Sequence, residues 1–148
     1  MAVHGGITFG GGDVVSIGEC MVELTRGGDG RYGLAFGGDT FNTAVYMARC
    51  GAPVAYATLL ADDPYSAGIR ALAEAEGVSS TLMGTLPGRM PGLYLIETNP
   101  AGERTFWYWR ERAAARELFD AAEALAPLGE AMQRAAIVYF SGVTLSLY

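Results

Sequence analysis

The sequence predicts an α/β fold in which helices cover a mainly parallel sheet, with a small antiparallel β-sheet inserted into it. Short apolar runs alternate with two amphipathic helical segments between residues 13 and 78. A strand–turn–strand pattern with a period of two residues follows over 92–110, and a helical segment and a further apolar strand come after it. The alternation of strands and helices indicates a sheet with right-handed crossovers, and the two-residue period indicates the insert.

Composition excludes several classes of protein. The 148 residues suit one domain, and an apolar fraction of 51% is enough for a buried core. All ten basic residues are arginine and the net charge is −6, so we do not expect the basic patch of a nucleic-acid-binding protein. We also find no apolar run near the ~20 residues of a membrane span and no signal-peptide pattern, so we expect a cytoplasmic protein. Cys20 and Cys50 are expected to be reduced and partly buried.

The first strands follow a glycine-rich leader, residues 1–12, which we expect to be flexible. Asp13–Gly18 is a short apolar run typical of a buried strand, and Cys20–Thr25 alternates as a half-buried strand does. A glycine-rich turn over 26–30 then predicts that residues 32–36 return as a short strand.

Two helices are predicted from their capping residues and apolar stripes. The first follows Gly37–Gly38, with Asp39 as its N-cap. The second has Asp63 as its N-cap and Pro64 at its first helical position, and a strand over 54–60 separates the two helices. The two apolar stripes consist of Phe41, Ala44, Val45 and Ala48, and of Tyr65, Ile69, Leu72 and Ala73.

The pattern changes to β-strands after the second helix. The predicted strands span residues 81–85, 92–98, 103–110 and, beyond a further helix, 136–140. A hairpin turn over 99–102 joins two of them, and we assign the inserted antiparallel sheet to about residues 20–36 and 81–110. The further helix spans 111–134 and is predicted to be interrupted at Pro127, whereas the last strand is predicted to be buried.

The first candidate site is the glycine-rich turn Gly37–Asn42. Glycines before a helix let a ligand approach bare backbone N–H groups, where the helix dipole favours oxygen ligands and anions. Asn42 falls on the first helical turn, and its amide can both donate to and accept from a polyol. A tight turn with a capped helix explains the same residues equally well. The segment is neither a Walker A loop nor a G-x-G-x-x-G fingerprint.

The second candidate site is the strand end at Tyr108 and Arg110. These side chains share one face, and a guanidinium fork beside a phenol hydroxyl could hold a sugar acid. An aromatic cross-strand ladder with a solvated arginine is the alternative interpretation. Trp107 and Trp109 face the other way, which favours packing or a subunit interface.

Other polar residues give weaker signals. Tyr94 lies on a strand of the insert, beside Ile96 on the same face. Glu19 and Glu23 follow the first strand, on the usual ligand side of an α/β sheet, and either a contact to a hydroxyl or a surface role fits them. No His/Cys cluster has the spacing of a metal site, so no metal ligand is predicted.

Four segments resemble, in order and spacing, the N-terminal part of ribokinase/PfkB-type carbohydrate kinases, especially the 2-keto-3-deoxygluconate kinase branch. Val15–Leu24 is similar to the family's first strand and Tyr32–Gly51 to its di-glycine sugar signature. Pro91–Thr98 together with Gly102–Arg110 resembles the 2-keto-3-deoxygluconate kinase branch, and Ser141–Leu145 is similar to a strand end of that branch. The resemblance covers essentially everything after Gly12.

The resemblance implies a Rossmann-like ribokinase fold with a β-sheet lid. It implies transfer of the ATP γ-phosphate, with Mg²⁺ bridging the phosphates, to the 6-hydroxyl of 2-keto-3-deoxygluconate. It implies a hinge at Gly37 and Gly38 for lid closure, with Tyr94 over the sugar and Tyr108 and Arg110 at its carboxylate. The substrate-binding residues that it implies are Gly38, Asp39, Thr40, Phe41, Asn42, Tyr94, Tyr108, Trp109 and Arg110.

The sequence departs from the family in one respect. The family's Gly-Ala-Gly-Asp signature, which supplies the general base and the anion hole, is absent from the 148 residues, so no catalytic residue is predicted. We therefore expect the N-terminal, substrate-binding half of a kinase. A sugar-acid kinase, a fructokinase or another family member, and a sugar-binding module without catalysis all stay open, as does a homo-oligomer formed through the lid.

Overall fold

The computed structural model describes residues 13–147, so the leader predicted over 1–12 lies outside the described residues. The described part contains nine strands, four α-helices and one 3₁₀ turn. The strands are β1 (Val14–Ile17), β2 (Met21–Arg26), β3 (Tyr32–Gly37), β4 (Val54–Leu60), β5 (Val78–Ser79), β6 (Met83–Thr85), β7 (Leu93–Thr98), β8 (Arg104–Trp109) and β9 (Ile137–Tyr139). The helices are α1 (Asp39–Arg49), α2 (Pro64–Ala75), α3 (Ala122–Arg134) and α4 (Gly142–Leu145), with the 3₁₀ turn at Ala114–Glu117.

A parallel sheet with helices on both faces forms the body of the protein. Its strand order is β5-β4-β1-β9, with β6 also paired to β4. On one face α1 and α2 pack through Phe41 and Ile69, and on the other the 3₁₀ region and α3 pack through Leu118 and Leu128. Every residue of β4 is buried, as expected for a central strand covered on both faces. The α/β architecture predicted from the sequence is confirmed.

A second sheet, the lid sheet, is inserted into the body and has the order β3-β2-β7-β8. Its hairpins β2–β3 and β7–β8 are antiparallel, whereas β2 and β7 pair in parallel. The lid sheet is therefore mixed, and the prediction of a purely antiparallel insert is wrong at its centre. The reason is that β2 and β7 are both the first strand of their hairpins and both run away from the body, so they meet side by side in the same direction.

The second segment of the lid sheet begins later in the chain than predicted. The strand expected over 81–85 is shortened to β6, which pairs in parallel with β4 through Thr58↔Met83 and Leu60↔Thr85. The Arg70 guanidinium fixes this strand to α2, because it donates hydrogen bonds to the carbonyl oxygens of Met83 and Gly84. The strand therefore belongs to the body, and the assignment of 81–85 to the insert is wrong.

The two predicted helix starts have different outcomes. Asp63 caps α2 as predicted, since its carboxylate accepts from the backbone N–H groups of Tyr65 and Ser66. In α1 the N-cap is Gly38 rather than Asp39, which is already the first helical residue. The Gly38 carbonyl accepts from Asn42 N, so the helix begins one residue earlier than the side-chain chemistry of aspartate suggests.

The segment after the lid sheet also differs from its prediction. The chain makes the 3₁₀ turn before α3, and α3 continues through Pro127 instead of stopping there. Pro127 lies in the second turn of α3, so it removes a single backbone hydrogen bond near the helix start. β9 was predicted to be buried, but it is an edge strand of the described sheet and leaves Ile137 55% exposed.

The two cysteines differ in burial. Cys20 is buried and Cys50 is exposed, and both are free, so the prediction of partial burial is wrong for Cys50.

Among residues 13–147, none of the helices has the length and apolar content that crossing a membrane requires.

A buried hydrogen bond connects the start of α1 to the central strand β4, and we expect its loss to destabilise the fold. Thr40 Oγ1 and Tyr56 OH lie 2.8 Å apart, with both residues fully buried. Replacing Thr40 by valine keeps the branched shape but leaves the Tyr56 hydroxyl without this partner. We expect Thr40→Val to lower the free energy of unfolding by about 1–3 kcal/mol, measured by urea denaturation. The matched control is Thr105→Val on β8, where the side chain is exposed and the change should stay within about 0.5 kcal/mol. Equal losses in the two variants would contradict the assignment.

Candidate functional site

The chain crosses between the body and the lid sheet four times, and these crossings meet around Glu19. Glu19 follows β1, Gly38 follows β3, Gly92 precedes β7 and Arg110 follows β8. A Cβ atom built on Gly92 would lie 2.5 Å from Glu19 Oε1, and one built on Gly38 would overlap the Glu19 carbonyl oxygen. Glycine is therefore required at both positions by close approach of the backbone to Glu19.

A cavity of ≈170 Å³ opens at this junction. It is lined from the body by the start of α1 and by the region of α4, and from the lid sheet by the end of β8. The lining residues are Glu19, Met21, Gly38, Asp39, Tyr108, Arg110, Val143, Thr144 and Leu147. A larger cleft of ≈590 Å³ lies between the hairpin turns at the far end of the lid sheet, around Arg26 and Glu97. We place the candidate site in the smaller cavity, because it alone of these two combines both parts of the fold with a guanidinium, carboxylates and hydroxyls.

The strongest electrostatic feature of the cavity is an ion pair between Arg110 and Glu19. Arg110 Nη2 lies 2.6 Å from Glu19 Oε2, with the Glu19 side chain 2% exposed and that of Arg110 20% exposed. The two groups are not aligned for a directed hydrogen bond, and both Glu19 carboxylate oxygens lack such a partner. Burial raises the pKa of the Glu19 carboxyl, and the charges of Arg110 and Arg116 partly offset that increase.

A second polar group lies around Gly37. The Tyr94 hydroxyl donates a hydrogen bond to Glu23 Oε2, and Glu23 Oε1 accepts another from the Thr25 hydroxyl. A Cβ atom on Gly37 would lie 2.8 Å from Tyr94 OH and 3.5 Å from Asn42 Oδ1, so both predicted site residues face this glycine. Burial, followed by the hydrogen bond to Glu23, raises the pKa of Tyr94, which keeps its hydroxyl protonated as a donor.

The inner face of the lid sheet carries a row of stacked aromatic rings. Tyr94 lies 6.4 Å from Phe106 and 6.0 Å from Tyr108, centroid to centroid, and Phe106 stacks on Tyr108 at 6.4 Å. Tyr94 pairs with Tyr108 across the β7–β8 ladder, whereas Trp109 pairs with Leu93 and therefore points to the opposite face. The structure thus places the side chain of Trp109, a predicted substrate-binding residue, away from the cavity that Tyr108 and Arg110 line.

The structure separates the other predicted site residues into two groups. Gly38, Asp39, Tyr108 and Arg110 line the cavity, and Asn42 and Tyr94 lie beside it at Gly37. Thr40 and Phe41 have 0% and 1% exposure, and both contact Tyr56 in the core. The structure thus places the side chains of Thr40 and Phe41, both predicted substrate-binding residues, on the buried face of α1 and not at the cavity.

Sequence reasoning gave too little weight to Glu19 and omitted Thr144. Glu19 was compatible with a surface role, but it directly follows the buried run ending at Gly18, and that position was the available signal for its burial. Thr144 reaches the cavity because Ser141 and Thr144 form a capping box that opens α4, and the Thr144 hydroxyl donates to the Ile17 carbonyl. The spacing Ser-x-x-Thr was visible in the sequence, but its place beside β1 was not.

No group of three or more His, Cys, Asp and Glu side chains within residues 13–147 is arranged to hold a metal ion. The carboxylates at the junction already have other partners: Glu19 pairs with Arg110, Glu23 accepts from Tyr94, and Asp39 accepts from the Thr40 backbone N–H. The arrangement is suited to binding a ligand that has both hydroxyls and an acidic group.

Comparisons with known proteins identify the family of this chain. Residues 12–148 match the family described as "pfkB family carbohydrate kinase". The chain is 41% identical over 140 residues to the 2-dehydro-3-deoxygluconokinase of Dickeya dadantii, covering 91% of this chain and 44% of that protein. The chain thus spans about 44% of the length of the curated relatives that it matches.

Solved structures show the same fold. The 2-dehydro-3-deoxygluconokinase of Thermotoga maritima superposes with a TM-score of 0.78 at 23% identity, covering 91% of this chain and 42% of that one. A fructokinase with bound ATP from Xylella fastidiosa gives a TM-score of 0.63 at 21% identity, covering 71% of this chain and 35% of that one. The family match over residues 12–148, together with the lid sheet on a parallel α/β body, shows that the chain belongs to the pfkB family of carbohydrate kinases.

Proposed function

We propose that the chain forms the sugar-binding part of a kinase that transfers the ATP γ-phosphate to the 6-hydroxyl of 2-keto-3-deoxygluconate, the sugar acid also called 2-dehydro-3-deoxygluconate. The observation that carries the proposal is the 41% identity to the Dickeya dadantii 2-dehydro-3-deoxygluconokinase across 91% of the chain. It is supported by Arg110, the one cation among the described residues that line the junction cavity.

The residues at the junction have separate tasks in this proposal. Arg110 and the Tyr108 hydroxyl bind the carboxylate end of the sugar, since a guanidinium fork and a phenol match an anionic oxygen pair. Asn42, Asp39 and the backbone at the start of α1 bind hydroxyl groups. Closure about the Gly37–Gly38 hinge brings Tyr94 over the sugar and excludes water that would otherwise hydrolyse ATP.

ATP would supply the phosphoryl group, and Mg²⁺ would neutralise its phosphates. The described residues offer no group of three or more His, Cys, Asp and Glu side chains that could hold Mg²⁺. The Gly-Ala-Gly-Asp signature of the family's general base is absent from the 148 residues, and we assign no general base among them. We therefore expect the 148 residues by themselves to bind the sugar acid without transferring phosphate.

A fructokinase is the alternative, and Arg110 separates the two activities. Fructose has no carboxylate, so a site built for fructose gains little from a guanidinium at the junction. The Arg110–Glu19 pair places such a guanidinium at the cavity wall, with 20% of the Arg110 side chain exposed.

The substrate assignment can be tested by calorimetric titration of the 148-residue chain with 2-keto-3-deoxygluconate and with fructose. Replacing Arg110 by glutamine removes a charge-assisted contact of about 1.5–3 kcal/mol, so affinity for the sugar acid should fall about ten- to a hundredfold. The matched control is Arg104→Gln at the other end of β8, which should leave the affinity unchanged. Tighter binding of fructose than of the sugar acid by the unaltered chain would favour a fructokinase and contradict the proposal.

We also propose that two copies of the chain associate through the outer face of the lid sheet. This outer lid face carries the side chains that point away from Tyr94 and Tyr108. Its most exposed apolar members are Tyr32 (50%), Leu34 (55%), Trp107 (52%) and Trp109 (56%). Aromatic side chains concentrated on one sheet face are typical of protein interfaces.

This association predicts an effect on oligomeric state. Trp107→Ser should weaken self-association at least about tenfold, because a buried interface tryptophan contributes about 2 kcal/mol or more. Sedimentation velocity across a range of micromolar concentrations measures the change. The control is Tyr65→Ser, which alters an exposed aromatic residue on α2, outside the lid sheet. A chain that sediments as a monomer at every concentration contradicts the proposal.

A further inference from the structure

The one guanidinium at the junction cavity is already paired before any ligand enters. Among the residues that line it, Arg110 is the one cation, and Glu19 and Asp39 are the anions. Glu19 lies directly against Arg110, whereas Asp39 accepts a hydrogen bond from the Thr40 backbone at the start of α1. The guanidinium on which a sugar acid depends is therefore already paired with a carboxylate of the protein.

Glu19 has little other support for its negative charge. Its side chain is 2% exposed, its oxygens have no directed hydrogen bond, and Gly92 packs against Oε1 closely enough to exclude a methyl group. The charged groups that favour its ionised form are Arg110 and, on the 3₁₀ turn, Arg116. The remaining titratable neighbours are the Cys20 thiol, the Tyr56 and Tyr108 hydroxyls and the Asp39 carboxylate. Glu19 thus depends on Arg110 to stay ionised.

We propose that Glu19 is a specificity-determining residue of this site: a ligand carboxylate competes with Glu19 for Arg110, and Glu19 takes up one proton from solvent when the ligand binds. The inference rests on the proposed binding of a sugar acid. With the ligand in place two carboxylates would share one guanidinium, an arrangement in which like charges cannot both stay ionised at low cost. Protonation of Glu19 returns the net charge of the cavity to its value before binding. A neutral sugar brings no charge and requires no proton.

The sign of the pH dependence follows from this competition. The pKa of the Glu19 carboxyl is higher in the complex than in the free chain, because the ligand carboxylate takes over the guanidinium charge. Affinity for the sugar acid then increases as the pH falls through the bound-state pKa, by up to about tenfold per pH unit. The affinity stops increasing once the pH is below the pKa that the Glu19 carboxyl has in the free chain. The carboxyl of the ligand itself, with a pKa of about 3.5, stays ionised above about pH 5.

The experiment is isothermal titration of the 148-residue chain in two buffers of different protonation enthalpy, between about pH 5.5 and 7.5. For 2-keto-3-deoxygluconate the heat should depend on the buffer and indicate uptake of up to about one proton per ligand bound. For fructose the heat should be independent of the buffer. Glu19→Gln should abolish both the proton uptake and the increase in affinity at low pH. Glu97→Gln, which removes the same charge from the exposed Arg26–Glu97 pair at the far end of the lid sheet, should retain both.

The outcomes separate the inference from the proposed function. Binding of the sugar acid with buffer-independent heat at every pH overturns the role of Glu19 and leaves the proposed substrate standing. Proton uptake that persists unchanged in Glu19→Gln overturns it as well. Failure of the unaltered chain to bind the sugar acid at any pH overturns both. The buffer comparison uses the unaltered chain, so it decides the question even when a variant fails to fold.

Discussion

The ion pair of Glu19 and Arg110 is the interaction on which the junction of body and lid sheet depends. A carboxylate with 2% of its side chain exposed is kept ionised chiefly by a guanidinium 2.6 Å away. Glu19 comes from the turn after β1 and Arg110 from the end of β8, so the pair links the first and last crossings of the chain. The same ion pair thus connects the lid sheet to the body and supplies two of the charges that line the cavity.

This constraint explains the glycines at the junction. Backbone and side chain of Glu19 occupy the space that a Cβ atom would need at Gly38 and at Gly92. Neither glycine has a left-handed backbone, so close approach rather than conformational freedom accounts for them. The same absence of side chains leaves the start of α1 open to the cavity, where backbone N–H groups can face ligand oxygens. Glycine at the junction therefore allows both the tight packing against Glu19 and the accessible start of α1.

The sequence predicts the elements of this fold better than it predicts their partners. The strand of 54–60 and the cap at Asp63 are local features, because apolar run length and side-chain chemistry determine them, and both were correct. The parallel pairing of β2 with β7 and of β6 with β4 involves segments distant in sequence, and no local pattern reports it. The burial of Glu19 likewise depends on a partner distant in sequence, because Arg110 is 91 residues away along the chain.

The alternation of side chains along β8 couples two properties of the molecule. Because successive residues of a strand point to opposite faces, Tyr108 faces the cavity while Trp107 and Trp109 face outward. A shift of register by one residue would exchange the two faces, placing the tryptophans over the cavity and the tyrosine outside. The stack of Phe106 and Tyr108 on Tyr94 and the bond from Trp107 Nε1 to Glu97 fix the register from both sides. The register of β7 with β8 therefore determines both which residues face the ligand and which apolar residues are exposed on the outer lid face. A shift of register would change both surfaces at once.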